Sequence, residues 1–224
     1  MLPFSDPEAV SRYAENPPKL VPGFLALQRM ALQLIEERAP DEARVLVLGA
    51  GGGLELKVFA EAHPAWRFGG VDPSAEMLKL AERTLGPHLS RVDLHEGYIH
   101  DAPQGPFDAA ACLLTLHFVQ PEDRVRTLTD LWMRLKPGAP LVVAHHSVPR
   151  ADAERTLWLS RYAAFAAASG IPRENAEAAA LAIGRELPML SPEEDEASLR
   201  AAGFIDVSLF YAALTFRGWV AYKP

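Results

Sequence analysis

The hydrophobic positions of this chain follow two periods, one typical of strands and one typical of helices. Short, mainly apolar runs predict strands at 45–48, 66–71, 92–95, 107–116 and 141–145. Apolar residues at helical spacing predict helices at 24–38, 54–63 and 75–85, and a further helix through Leu128, Leu131 and Leu135. Strands and helices that alternate in this order form a parallel sheet with right-handed crossovers. The pattern therefore predicts an α/β fold.

The alternation of strands and helices ends after the fifth predicted strand. Residues 150–186 predict two helices with no strand between them, so we expect a helical cap over 150–190 that is inserted above the ligand crevice. A capping box begins at Ser191, and 207–211 and 214–221 predict a terminal antiparallel hairpin. Residues 1–23, which end in the helix-breaking segment 17–23, predict an N-terminal flap. We expect one domain over 1–224, a Rossmann-like sheet of seven mostly parallel strands.

A glycine-rich loop follows the first strand. The segment Gly49-Ala50-Gly51-Gly52-Gly53 would let backbone N–H groups come close to a ligand at a helix N-terminus. Asp72 ends the next strand, where an acidic residue accepts hydrogen bonds from ribose hydroxyls. Alternatively, the glycines form only a tight turn, and Asp72 is only a turn residue before Pro73. The spacing favours a cofactor that contains a nucleoside.

Further motifs narrow the class of cofactor. Leu54 occupies the last place of the dinucleotide fingerprint, which leaves Gly-x-Gly-x-Gly. This loop resembles that of the class I S-adenosylmethionine (SAM) dependent methyltransferases. The resemblance extends to two further segments, Val71-Asp72-Pro73-Ser74-Ala75-Glu76-Met77-Leu78 and Arg134-Leu135-Lys136-Pro137-Gly138. The resemblance implies SAM as cofactor, a closing antiparallel hairpin, and cofactor contacts from a set of residues around the loop and the next two strands. They are Gly49, Ala50, Gly51, Gly53, Asp72, Pro73, Met77, Tyr98 and Ile99. For Met77, ordinary core packing is an equal alternative.

The layout is similar, in more detail, to the tRNA wobble-uridine carboxy-SAM synthase family. The matching stretches are Val21-Pro22-Gly23-Phe24, Thr115-Leu116-His117-Phe118 and Leu199-Arg200-Ala201-Ala202-Gly203-Phe204. The resemblance implies that Phe24, Tyr98 and Leu113 also line the cofactor site. They stand where that family has a tyrosine, an aspartate and an asparagine, and its carboxylate-binding arginine aligns with 178–183. We therefore expect ordinary SAM, unless Arg173 or Arg185 replaces that arginine.

One further departure concerns the methionine part of the cofactor. Most class I methyltransferases have an acidic residue where this chain has Val47. Recognition of the methionine ammonium group is then left to backbone carbonyls or to another side chain.

Two histidines are candidates for a general base. His117 ends the fourth predicted strand and His145-His146 end the fifth, at the edge of the sheet where ligands bind, and of these we take His117 and His145 as the candidates. Each could instead be satisfied by a backbone carbonyl. We expect the acceptor between these strand ends, the flap around Tyr13 and a group of cap residues: Trp158, Arg161 and Tyr162. Alternatively, Trp158, Tyr162 and Phe165 hold the cap down or form the face of a homodimer.

Composition limits the partners. The chain has 224 residues, 49% of them hydrophobic, and a formal net charge of −7, which disfavours nucleic acid and favours a small-molecule acceptor. No apolar stretch reaches the length of a membrane span and no signal peptide begins the chain, so we expect a cytoplasmic location without membrane contact. Cys112 is the only cysteine and predicts a core thiol. No histidine spacing predicts a metal site.

These observations predict a class I methyltransferase that transfers a methyl group from SAM to a small acceptor. A carboxy-SAM synthase-like tRNA-modification enzyme and a catalytically silent SAM-binding protein remain as alternatives. A nicotinamide oxidoreductase of the short-chain type is disfavoured, because the chain contains no Tyr-x-x-x-Lys pair.

Overall fold

A seven-stranded sheet organises the chain. The computed structural model describes Val10 and residues 15–224. The strands lie in the order β3-β2-β1-β4-β5-β7-β6, and β7 runs antiparallel to both β5 and β6 while the other pairs are parallel. This arrangement confirms the predicted mostly parallel sheet with its terminal hairpin. The predicted N-terminal flap falls mostly on residues 1–9 and 11–14, which lie outside the described residues.

The strands and helices have the following bounds. The strands are β1 Arg44–Leu48, β2 Arg67–Asp72, β3 Val92–Glu96, β4 Ala109–Leu113, β5 Pro140–His146, β6 Ile205–Ala213 and β7 Phe216–Tyr222. The α-helices of the described part are α1 Pro17–Leu20, α2 Phe24–Glu36, α3 Leu54–Ala62, α4 Ala75–Leu85, α5 Pro121–Arg134, α6 Asp152–Ala168, α7 Arg173–Glu186 and α8 Pro192–Ala201. Their order agrees with the predicted alternation.

Two local predictions were wrong. The fourth strand ends at Leu113 instead of residue 116, because Leu114 has a positive φ of 57° and a 3₁₀ turn follows at Leu116–Phe118. The segment predicted to break helices contains the one-turn helix α1 at Pro17–Leu20. Proline is compatible with the first turn of a helix, where its missing N–H group has no partner to lose.

The core lies in two layers on either side of the sheet. Alternate side chains of β1 point to opposite faces. Val45 and Val47 pack in the layer that contains Phe59 of α3, whereas Leu46 packs in the layer that contains Leu131 of α5. Strand β1 is thus buried on both faces, which explains its unbroken apolar sequence.

Cys112 belongs to the second of these layers. It is fully buried, and burial raises the pKa of its thiol. The residue is therefore a packed core thiol, as predicted.

A buried ion pair joins α5 to α8. The Arg124 guanidinium donates to Asp195 Oδ1 at 2.9 Å and to the carbonyls of Val119 and Pro188. His145 Nε2 lies 3.1 Å from the same Asp195 oxygen. Burial alone would raise the pKa of Asp195, but His145 and Arg124 outweigh it and hold that pKa below its ordinary value.

Helices α6 and α7 pack against each other beside the end of β5. The ring of Tyr162 on α6 contacts His146 and Phe216 edge-on, at centroid distances of 5.4 and 6.1 Å.

Among the described residues, no helix is both long enough and apolar enough to cross a membrane.

We expect Asp195→Ala to lower the free energy of unfolding by about 3–5 kcal/mol, because Arg124 would remain buried without its counter-charge. Urea unfolding followed by circular dichroism measures this loss. Arg173→Ala is the matched control, since it removes an exposed pair with Glu177 on α7 and should cost less than about 1 kcal/mol. Equal losses in the two variants would contradict the role assigned to Asp195.

Candidate functional site

A large cavity opens at the carboxyl ends of the parallel strands. Its volume is about 780 Å³, within the range of small-molecule sites, and its walls come from the loops after β1, β2, β3 and β4 and from α2 and α5. Most of the residues predicted to bind the cofactor line it: Phe24, Gly49, Ala50, Gly51, Asp72, Pro73, Met77, Tyr98, Ile99 and Leu113. The structure brings these residues together from five segments of the chain.

The glycine loop is held tightly to the neighbouring strand. The N–H groups of Gly49 and Ala50 both donate to the carbonyl of Val71, at 2.8 and 3.0 Å. Gly49 has a φ of 76°, and a Cβ on it would lie 1.9 Å from Thr115 Oγ1. These N–H groups are therefore used within the protein, and the loop offers a ligand close backbone approach rather than those donors.

Gly53 has a different place from the one predicted. It is not among the residues that line the cavity. Its φ is 78°, and an added Cβ would lie 3.0 Å from Ala81 of α4. The residue lets the start of α3 pack closely against α4, so its role is to support the loop.

Asp72 is fixed at the tip of β2 by two backbone groups. Gly51 N donates to its Oδ2 and Ser74 N donates to its Oδ1, both at 2.9 Å. An ionised carboxylate has about four acceptor sites, so each oxygen retains capacity for a further donor. Burial raises the pKa of Asp72, while the two N–H groups oppose that shift. The geometry suits a pair of hydroxyl donors from a ligand in the cavity.

The walls beside Asp72 are apolar. Met77 and Ile99 are both buried and face the cavity from the segments after β2 and β3. Tyr98 is 62% exposed at the rim, with its ring centroid 5.9 Å from that of His100. Flat apolar walls of this kind fit an aromatic base.

Sequence reasoning missed Glu55. This residue lies in the first turn of α3, lines the cavity and is only 8% exposed. Burial, and to a smaller extent the charge of Asp72, raises the pKa of Glu55 from its ordinary 4.5 to about 8. A signal was available, because Glu55 stands four residues before Phe59 on the buried face of the helix.

The two candidate bases lie away from the cavity wall. Neither His117 nor His145 is among the lining residues of the described chain. His117 Nδ1 accepts from the His146 backbone N–H at 3.2 Å, and burial lowers the pKa of His117 well below 6.5. His145 is 1% exposed and lies against Asp195. Their catalytic role stays a prediction, and this placement gives it no support.

The predicted acceptor residues are likewise not gathered at the cavity. None of its described lining residues comes from α6 or α7, which carry Trp158, Arg161 and Tyr162. The guanidinium groups of Arg161 and Arg217 lie over the Trp158 ring, at 4.5 and 5.6 Å. Tyr13 lies outside the described residues.

Neither arginine proposed as a carboxylate receptor reaches the cavity. Arg173 pairs with Glu177 on α7, and Arg185 lines a groove between α6 and α7. Within the described residues, Arg126 is the single arginine or lysine of the cavity lining. Five carboxylates accompany it: Glu55, Asp72, Glu76, Asp123 and Asp130. Acidic side chains therefore outnumber basic ones in the described lining of the cavity.

The part of the chain that the structure describes contains no set of metal ligands. No group of three or more histidine, cysteine, aspartate or glutamate side chains there is arranged to hold a metal ion.

Comparison with known proteins shows what this chain is similar to. The model of the methyltransferase domain family matches residues 45–138. A carboxy-S-adenosyl-L-methionine synthase from Chromohalobacter salexigens is 28% identical over 222 residues, which cover 97% of this chain and 82% of that protein. The corresponding protein from Klebsiella pneumoniae is 26% identical over 91% of this chain and 84% of its own length.

Solved structures show the same fold at lower identity. Human N-acetylserotonin methyltransferase in complex with SAM superposes with a TM-score of 0.65 at 16% identity. Phosphoethanolamine N-methyltransferase 2 from Haemonchus contortus, also in complex with SAM, superposes with a TM-score of 0.72 at 15% identity. Each match covers 98% of this chain, which spans 57% of the length of either neighbour. With the glycine loop and Asp72 at the tips of its parallel strands, the chain has the fold of these SAM-dependent methyltransferases, and its residues 45–138 match the methyltransferase domain family.

Proposed function

We propose that the protein transfers a methyl group from SAM to a small-molecule acceptor. The observation that carries this proposal is the Asp72 carboxylate, held by Gly51 N–H and Ser74 N–H at the edge of an acidic strand-tip cavity. A volume of about 780 Å³ leaves room for a nucleoside cofactor and part of a small acceptor. When bound, SAM supplies a methyl group that its sulfonium already activates.

The residues of the cavity would hold the cofactor in distinct ways. The free acceptor sites of Asp72 suit the ribose hydroxyls, and Met77 and Ile99 form apolar walls for the adenine. Gly49 and Gly51 line the cavity, and their backbone would lie close to the remaining part of the cofactor.

The chain's own contribution to the reaction is positioning and exclusion of water. In-line alignment of the reacting groups contributes a large part of the barrier reduction. A general base works best when its pKa lies near the operating pH, and burial holds the pKa of His117 far below that range. In the proposed reaction, His117 is therefore not the general base.

We expect Asp72→Ala to weaken the binding of S-adenosylhomocysteine at least tenfold, about 1.4 kcal/mol, because two hydrogen bonds to the ribose are lost. Isothermal titration calorimetry measures the affinity. Asp93→Ala is the matched control, because Asp93 is an exposed residue of β3 that does not line the cavity. This variant should bind S-adenosylhomocysteine as the wild type does. Unchanged affinity in a folded Asp72→Ala protein would overturn the assignment.

A carboxy-SAM synthase-like activity is the second candidate. The observation that favours it is the similarity to those synthases over 97% of the chain. The charge of the cavity favours ordinary SAM, because SAM carries a net positive charge and its carboxylated derivative does not. Phe24, Tyr98 and Leu113 line the cavity and offer no cation to an additional carboxylate.

Competition for the protein distinguishes these two candidates. We expect SAM to displace labelled S-adenosylhomocysteine at a concentration at least about tenfold lower than carboxy-SAM requires, since an unpartnered carboxylate is costly to desolvate. A preference for carboxy-SAM would favour the second candidate. Loss of that preference in Arg126→Ala would then identify the receptor.

A further inference from the structure

The methionine end of the cofactor lacks the acidic partner that the fold commonly provides in β1. Val47 stands at that position and is fully buried in an apolar layer of the core. An ammonium group in this part of the cavity needs an acceptor, preferably a charged one.

Glu55 is a buried acid that has no partner of opposite charge among the described residues. It lies two residues after the glycine loop and lines the same cavity. No lysine, arginine or histidine of the described chain forms an ion pair with it, and its one stabilising contact is with its own backbone N–H. A buried carboxylate without a partner is costly, so a cation from a ligand would satisfy it.

The other acids of the cavity are less suited to this role. Asp72 is fixed by two N–H groups and faces the place proposed for the ribose. Glu76 pairs with Lys79, Asp123 is exposed on α5, and Asp130 of the same helix is only half-buried. Gln28 of α2 is buried at the cavity but is neutral.

We infer that Glu55 binds the α-ammonium group of the methionine part of SAM, in place of the acidic residue that β1 lacks at Val47. This inference rests on the proposed function. The N-terminal turn of α3 favours the ionised form of Glu55, and the bound ammonium neutralises its charge. Glu55 thereby selects cofactors that carry a free amino group.

The test compares two ligands that differ by one group. S-adenosylhomocysteine and its analogue that lacks only the α-amino group are titrated into wild type, Glu55→Gln and Asp72→Asn at pH 8, where about half of Glu55 is ionised before binding. We expect Glu55→Gln to weaken the binding of S-adenosylhomocysteine at least about tenfold and to leave the affinity for the deaminated analogue unchanged. Asp72→Asn should weaken the binding of both ligands to the same extent, because both ligands keep the ribose.

The outcomes separate the two proposals. If Glu55→Gln binds S-adenosylhomocysteine as the wild type does, or loses both ligands equally, the inference about Glu55 is overturned while the proposed function stands. If the wild type binds neither ligand, the proposed function fails, and the inference fails with it.

Stability against pH provides a second measurement on the same variant. The folded pKa of Glu55, about 8, is above its ordinary 4.5, so the folded protein binds the extra proton between these values and loses stability as pH rises through them. Asp72 from β2 and the Cys112 thiol from β4 are the titratable groups coupled to it. We expect Glu55→Gln to melt several degrees higher than wild type at pH 8.5, and to differ much less at pH 5. A variant that melts lower at pH 8.5 would show that Glu55 already has a partner within the fold, which contradicts the inference.

Discussion

The hydrogen bond from Gly51 N–H to Asp72 connects the loop after β1 to the end of β2, and the candidate site depends on it. Parallel strands present their carboxyl ends at one edge, so the loops that follow them must share that edge. Two further bonds to the Val71 carbonyl fix the same loop. Because this backbone is fully tied to β2, the side chains around it decide what the cavity accepts.

Buried carboxylates occur in two contrasting settings in this molecule. Asp195 is neutralised within the fold by Arg124 and lies beside His145, and it joins α5 to α8. Glu55 and Asp72 lie at the cavity without a cation, and burial raises the pKa of both. The first setting stabilises the native state, whereas the second lowers stability as pH rises, until a ligand supplies the missing charge or donors.

The side chains of the cavity bear on the choice of cofactor. The identity of 28% to a carboxy-SAM synthase extends over nearly the whole chain. Three residues of the cavity lining, Phe24, Tyr98 and Leu113, are uncharged. A scaffold shared at this level fixes where a cofactor lies, while the lining side chains fix which cofactor it is.

The sequence alone determined the order of strands and helices, the terminal hairpin and the residues at the strand tips, because each follows from local periodicity and turn chemistry. It could not show which way a strand-end side chain points. His117 lies in the 3₁₀ turn after β4 and His145 is the penultimate residue of β5, and packing turns both into the core, against His146 and Asp195. Glu55 reads as an ordinary charged helix residue until α3 docks on the sheet and buries its carboxyl at the cavity. Burial and electrostatic partners arise from contacts between distant segments, so only the tertiary structure decided them.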